Sequence, residues 1–223
     1  MSSVTEQPSH DHAVRDPATH APAAAPVARI GPNAIIRMIE ALREEVGEAE
    51  TARLFAAAGL SHHLVSVPEH MVDERDVVAL HTVVRADLGV ARAKKVAADA
   101  GRRTADYLLA VRIPKRVQPI LKILPARLSA KILLGAIGKH AWTFAGSGEF
   151  SAVAGHPVRF SIANCPVCRG ASSPEHMHTP LCDYYGATFE RLFRTLVHPK
   201  SVVIETACQA NGAPACAFEI SWR

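Results

Sequence analysis

The sequence predicts an α+β domain, with a helical N-terminal half packed on a mostly antiparallel sheet. Three observations carry that reading. Apolar residues recur at helical spacing from about Asn33 to Gly138. Short alternating runs punctuated by glycine and proline follow from Trp142 onward. An Asn211-Gly212 pair then separates two strand-like runs near the C-terminus. Helices first and strands afterwards, in 223 residues that are 48% apolar, suit one α+β domain with a substantial core plus a tail.

Each element has its own signal. Asn33 is a plausible N-cap for a helix that carries Ile35, Ile39, Leu42 and Val46 on one face. Gly59 ends the stretch that follows. A second helix is expected from about Asp73 to Leu88, with Val77, Leu80 and Val84 inward. A third covers roughly Val90 to Val111 and stops before Pro114. Pro119 and Pro125 punctuate a basic, Leu/Ile-rich connection, and a fourth helix presents Leu128, Ile132, Leu133 and Ile137. Trp142-Thr-Phe144, Glu149–Val153 and Val158–Ile162 alternate like half-buried strands. One more helix places Tyr185, Phe189, Leu192 and Leu196 on a single face, and Ser201–Thr206 pairs with Ala215–Trp222 as a hairpin.

The segment 1–28 reads as a disordered tail. Pro8, Pro17, Pro22 and Pro26 interrupt it, and no apolar periodicity develops. Glu6, Asp11 and Asp16 stand where a signal peptide would carry cations. The tail histidines His10, His12 and His20 read as solvated rather than metal-binding. With no long apolar run, a cytoplasmic location is expected.

Charge is unevenly spread. Between Arg102 and Lys139 stand nine cations (Arg102, Arg103, Arg112, Lys115, Arg116, Lys122, Arg127, Lys131 and Lys139) and one acid, Asp106. Such an excess attracts carboxylates, phosphates or anionic lipid heads, or is simply a solvated set of helix faces. Its 115–137 part is also a route to peripheral contact with a membrane. Nucleic acid is not expected as a partner, because no recognition module or aromatic stacking platform accompanies the cations.

The chemistry concentrates in five cysteines: Cys165, Cys168, Cys182, Cys208 and Cys216. Clustered cysteines in a reducing compartment point to a metal more readily than to disulfides. A lone C-x-x-C is weak, but Cys208 and Cys216 flank the expected hairpin turn, which can bring their sulfurs together. Cys182 falls where a helix begins, and the partial positive charge there favours thiolate. Structural zinc, a redox dithiol and no metal all remain open on these residues alone.

The run Cys182-Asp-Tyr-Tyr-Gly186, with Glu205-x-x-Cys208 and Cys216-x-Phe218-x-Ile220, resembles the vinyl-4-reductase (V4R) domain. Together with Asn164-Cys-Pro-Val-Cys-Arg-Gly170 and Phe189-Glu-Arg-Leu-Phe193, it resembles the bacteriochlorophyll 4-vinyl reductase family. The motifs lie in 140–222, and the family carries a helical half like 30–138. This resemblance implies a single domain over 29–223 with a ligand-binding fold shared with vesicle-tethering subunits and commonly dimeric. It implies a structural zinc on Cys182, Glu205, Cys208 and Cys216. Cys165 and Cys168 are extra to that set, and either could replace Glu205, since thiolate is the softer ligand.

The same resemblance implies a magnesium-tetrapyrrole ligand, bacteriochlorophyll biosynthetic enzymes as partners, and work at or near the photosynthetic membrane. Trp142, Phe144, Phe150 and Phe160 are the aromatic candidates for its slot. Arg112, Lys115 and Arg116 would meet its carboxylates. His140 or His156, and less so His176 and His178, would reach its metal. Reduction of a vinyl group needs a hydride or electron donor. No G-x-G-x-x-G follows a strand, and the cysteines lack ferredoxin spacing. The expectation is therefore an accessory carrier, with a reductase fed by an external donor and a ligand-sensing or scaffolding subunit as the alternatives.

Overall fold

The computed structural model describes residues 27–171 and 179–223. The expected tail to residue 26, its histidines His10, His12 and His20, and also His176 and His178 lie outside the described residues. Strand β1 (Arg29–Ile30) pairs with β2 (Val72–Asp73) and clamps the start of the helical half. Between them run α1 (Asn33–Val46), α2 (Glu48–Ala57) and the single turn α3 (His62–Val65). The face read from the sequence on α1 is the buried one: Ile35, Ile39 and Leu42 are all in the core. Asn33 is the first helical residue rather than the cap, and its Oδ1 accepts a bond from Arg37 at 3.2 Å.

The expected second and third helices form one long element, α4 (Glu74–Tyr107), broken at Gly89. There φ is 74° and ψ 161°, a conformation that glycine adopts at little cost. Asp73 caps it, its side chain accepting the Arg75 N–H at 2.8 Å. A π-helical turn, Leu108–Arg112, ends the run before Pro114. Helices α5 (Val117–Ile123) and α6 (Ala126–Lys139) follow.

Two sequence expectations fail here for physical reasons. Trp142-Thr-Phe144 is not a strand but a helical turn, α7 (Trp142–Ala145), because three alternating residues fit one turn of helix as well as a pleat. On α6 Leu133 is buried and Ile137 half-buried as expected, but Leu128 and Ile132 are exposed, because the inward face is centred on Ser129, Ala130, Leu133 and Leu134.

The second half is a four-stranded antiparallel sheet: β3 (Glu149–Val153), β4 (Val158–Ala163), β6 (Cys216–Ser221) and β5 (Val202–Ala207), in that order. Helix α8 (Asp183–Leu196) lies between this sheet and α4. On the sheet side Phe189 stacks on Phe160 with ring centroids 4.0 Å apart, and Phe160 stacks on Phe218 at 4.5 Å. On the other side α4 comes so close that a Cβ at Gly101 would collide with the Tyr184 carbonyl. Thr188 Oγ1 donates to the Gly101 carbonyl at 3.0 Å across that contact. Tyr185, Phe189, Leu192 and Leu196 are all buried, each worth about 1.5–3 kcal/mol as large apolar side chains.

Candidate metal centre

The five cysteines reach one point from four parts of the chain. β4 ends at Ala163, and Asn164, at φ 51°, turns the chain into the Cys165-Pro-Val-Cys168 loop. Cys216 opens β6 and lies opposite Ile162 of β4, so the loop emerges beside it. Cys182 precedes the first turn of α8. β5 runs to Ala207 and carries a register shift between Glu205 and Ala207, just before Cys208. Such an irregularity re-aims the following side chain.

All five side chains are buried and none is paired as a disulfide. Sγ of Cys165 is 3.5 Å from that of Cys182, and Cys182 is 3.4 Å from Cys216. Cys168 is 3.3 Å from Cys216, and Cys208 stands farther off, at 4.0 Å from Cys216. A zinc about 2.3 Å from each of four sulfurs sets neighbouring sulfurs about 3.8 Å apart. The donor atoms of Cys165, Cys168, Cys182 and Cys216 all lie within 4.8 Å of one another. Those of Cys182, Glu205, Cys208 and Cys216 meet the same limit, so the set implied by the resemblance is also brought together. The donors fit one tetrahedral ion in either set.

The surroundings are polar in a specific way. Glu205 Oε2 accepts the Cys182 N–H at 2.8 Å, while its Oε1 is buried without a partner. Gln209 Oε1 accepts the Cys165 N–H at 2.7 Å. Burial, and next the Cys208 sulfur, pushes the Glu205 carboxyl up to about 9. Bonds from the other thiols, Cys165 first, drive Cys168 well below the ordinary thiol range, whereas burial drives Cys182 above it. Thiolate is thus favoured at Cys168, with the neighbouring Cys182 and Cys216 held as thiols.

Arg85 on α4 answers that charge. It is buried, Nη1 donates to the Val167 carbonyl at 2.8 Å, and Nη2 has no partner. Arg169, one residue past Cys168, pairs with the buried Glu74 at 2.5 Å, and Ser147 Oγ donates to the same carboxylate at 2.7 Å. Burial opposes ionisation of Glu74, but Arg169 and Ser147 hold its carboxyl below the usual range. Sequence reading missed Arg85, Gln209 and Glu74. The signal for Arg85 was present: with Val77, Leu80, His81 and Val84 it lies on the apolar stripe of α4, where an unpaired cation is costly.

The V4R domain family matches residues 158–221, which include all five cysteines. The "Bacteriochlorophyll synthase 23 kDa chain" of Cereibacter sphaeroides is 47% identical over 193 residues, covering 86% of this chain and 90% of that protein. This chain belongs to that family. The protein of the same name from Rhodobacter capsulatus is 39% identical over 191 residues, covering 85% of each chain. An H-NOX protein mutant from K. algicida superposes with a TM-score of 0.55 at 10% identity, over 87% of this chain and 97% of that one. At that identity the likeness concerns the fold alone, a helical half with an antiparallel sheet.

The other residues singled out for this bacteriochlorophyll synthase 23 kDa chain family member have different surroundings. Phe144, Phe150 and Phe160 join Phe189 in one aromatic cluster, but they pack on each other. Trp142 stands apart, 59% exposed, and His140 is an exposed residue just past α6. Arg112 lies over the Tyr107 ring at 5.9 Å, and Arg116 is exposed. Of the nine cations, Arg102 and Arg103 pair with Asp99, and Asp106 pairs with Arg191. The remaining seven make no ion pair among the described residues.

Arg127 and Lys131 of α6 instead line a cleft of about 310 Å³ with Ala154, Gly155 and His156. His156 is held there by Nε2, 3.0 Å from the Trp222 carbonyl. Donation through Nε2 leaves Nδ1 as the acceptor nitrogen. No helix among the described residues is long and apolar enough to cross a membrane.

Proposed function

We propose that this protein is an accessory factor of bacteriochlorophyll biosynthesis that binds a carboxylate-bearing magnesium-tetrapyrrole and presents it to the biosynthetic enzymes. The place in that pathway rests on family membership, since the relatives are named as chains of bacteriochlorophyll synthase. The ligand reading is supported best by the cleft where Arg127, Lys131 and His156 meet with no acid among them. The two cations suit ring carboxylates, and a histidine fixed through Nε2 has Nδ1 free for an axial metal. Leu128, Ile132 and Val153, each next in sequence to a lining residue, are exposed and suit the apolar macrocycle. In this reading Arg112, Arg116, His140 and Trp142 are peripheral, and Phe144 and Phe160 belong to the core beneath. The protein would act as a homodimer.

The thiol centre is proposed as structural zinc on Cys165, Cys168, Cys182 and Cys216. Thiolate is the softer donor, and these four are the most closely gathered. Glu205 then orients Cys182 through its N–H, and Cys208 lies just outside. A four-thiolate ion has no open position, so its role is to hold the C-P-V-C loop, α8 and β6 together.

An anaerobic absorbance titration with a divinyl magnesium-porphyrin bearing propionates tests the function, with NADPH added afterwards. A saturable band shift that weakens in an Arg127→Glu/Lys131→Glu variant and does not change with NADPH is the expected result. A second, time-dependent shift to monovinyl product would make the protein a reductase instead. No saturable shift would remove the tetrapyrrole reading.

A further inference from the structure

Among the described residues, four exposed apolar side chains fall close together. Val111, Val117, Ile120 and Ile123 are 62%, 39%, 54% and 82% exposed within thirteen residues of sequence. Arg112, Lys115, Arg116 and Lys122 are interleaved with them, all exposed and all without an ion pair among the described residues. No acid occurs from Tyr107 to Gly148. Six arginines elsewhere, Arg43, Arg53, Arg75, Arg103, Arg159 and Arg191, each hold a carboxylate.

The segment is also built to stay in place. Leu121 is buried beneath α5, and Gln118 Nε2 donates to the Leu109 and Ile113 carbonyls at 2.6 and 3.0 Å. Those bonds tie the short helix to the π-helical turn before it. Val117, Ile120 and Ile123, three apart on α5, therefore project outward from a fixed platform. The apolar side chains face solvent at a cost that an occupant would remove.

We propose that this face docks on the surface of an anionic lipid bilayer. Unpaired cations around an apolar ridge match a layer whose headgroups are negative and whose acyl boundary lies just below. A second copy fits poorly, because a two-fold contact through this face would set the cations of one chain against those of the other. The docking places α6 and its cleft beside the layer into which apolar ligands partition, but it does not depend on any ligand.

Flotation of the full chain with vesicles of phosphatidylcholine alone, or with about a third phosphatidylglycerol, tests the proposal. Binding is expected only with the anionic lipid and is expected to fall as salt rises. Lys115→Glu/Arg116→Glu should lower partitioning about 30-fold or more, since each basic residue near such a surface contributes about fivefold. Ile120→Glu/Ile123→Glu should also abolish it, and both changes are at exposed positions that leave folding intact. Lys200→Glu, a control at an exposed cation outside the segment, should not matter. Equal binding to both vesicle types, or binding that survives all these changes, would overturn the proposal. So would an Ile120→Glu/Ile123→Glu variant whose only effect is a smaller oligomer, which would make the face an interface between copies.

Discussion

Arg85 donates from Nη1 to the Val167 carbonyl at 2.8 Å, and Val167 lies between two of the clustered cysteines. This one bond joins the helical half to the thiol loop. It also holds a buried guanidinium, one nitrogen unpartnered, near enough for charge on the clustered sulfurs to act on it. A buried cation of this kind is tolerable only beside a compensating anion. Four thiolates around a divalent ion carry a net charge of about −2 and supply one.

Arg85→Met should therefore weaken the metal rather than merely loosen the core. Changes of this sort in the surroundings of a metal site cost about 10- to 100-fold in affinity. Competition against a chromophoric chelator reads the effect, and Arg85→Lys should restore part of it. Unchanged affinity in Arg85→Met would remove Arg85 from the electrostatics of the site.

The two ligand sets give opposite results on substitution. Cys165→Ser should lose the metal and lower the melting temperature sharply, because binding free energy of a structural ion is folding free energy. Cys208→Ser should keep one ion with its four-thiolate character, read as the intense charge-transfer absorption of a cobalt-substituted sample. The reverse pattern would give the site to Cys182, Glu205, Cys208 and Cys216.

His81 predicts a pH dependence. Burial, and next the charge of Arg85, lowers its imidazole from 6.5 to about 3. The unfolded chain binds that proton more readily, so stability is complete above about pH 6.5 and declines as pH falls toward 3. At pH 5 the loss is on the order of 2 kcal/mol. Zinc-loaded His81→Phe should unfold with a shallower acid slope over this window. Parallel slopes would mean that His81 does not titrate as its burial requires.

Gly101 fixes the approach of α4 to α8. A Cβ there meets the Tyr184 carbonyl, so Gly101→Val must push the helices apart and should cost about 1–3 kcal/mol in chemical denaturation. A neutral result would show that the two helices slide without penalty.

Much of this was legible in the residues. Ile35, Ile39 and Leu42 on α1, the break at Gly89 and the buried face of α8 follow from apolar period and glycine position, which are local properties. Trp142-Thr-Phe144 was not legible as a helix, since three residues satisfy both periods. The convergence of the cysteines was half legible. The hairpin brings Cys208 to Cys216, but the place of Cys165 and Cys168 depends on the β4–β6 register, a long-range relationship. Arg85 and Glu74 act across the interface between the two halves, and only their position on an otherwise apolar or capped helix hints at it.

Native mass spectrometry of protein purified under reducing conditions, with thiol alkylation before and after chelation, tests the structural centre most directly. One zinc per chain, with four cysteines protected until the metal is removed, is the predicted result. A metal-free chain of unchanged melting temperature, with all five thiols reacting equally, would contradict it.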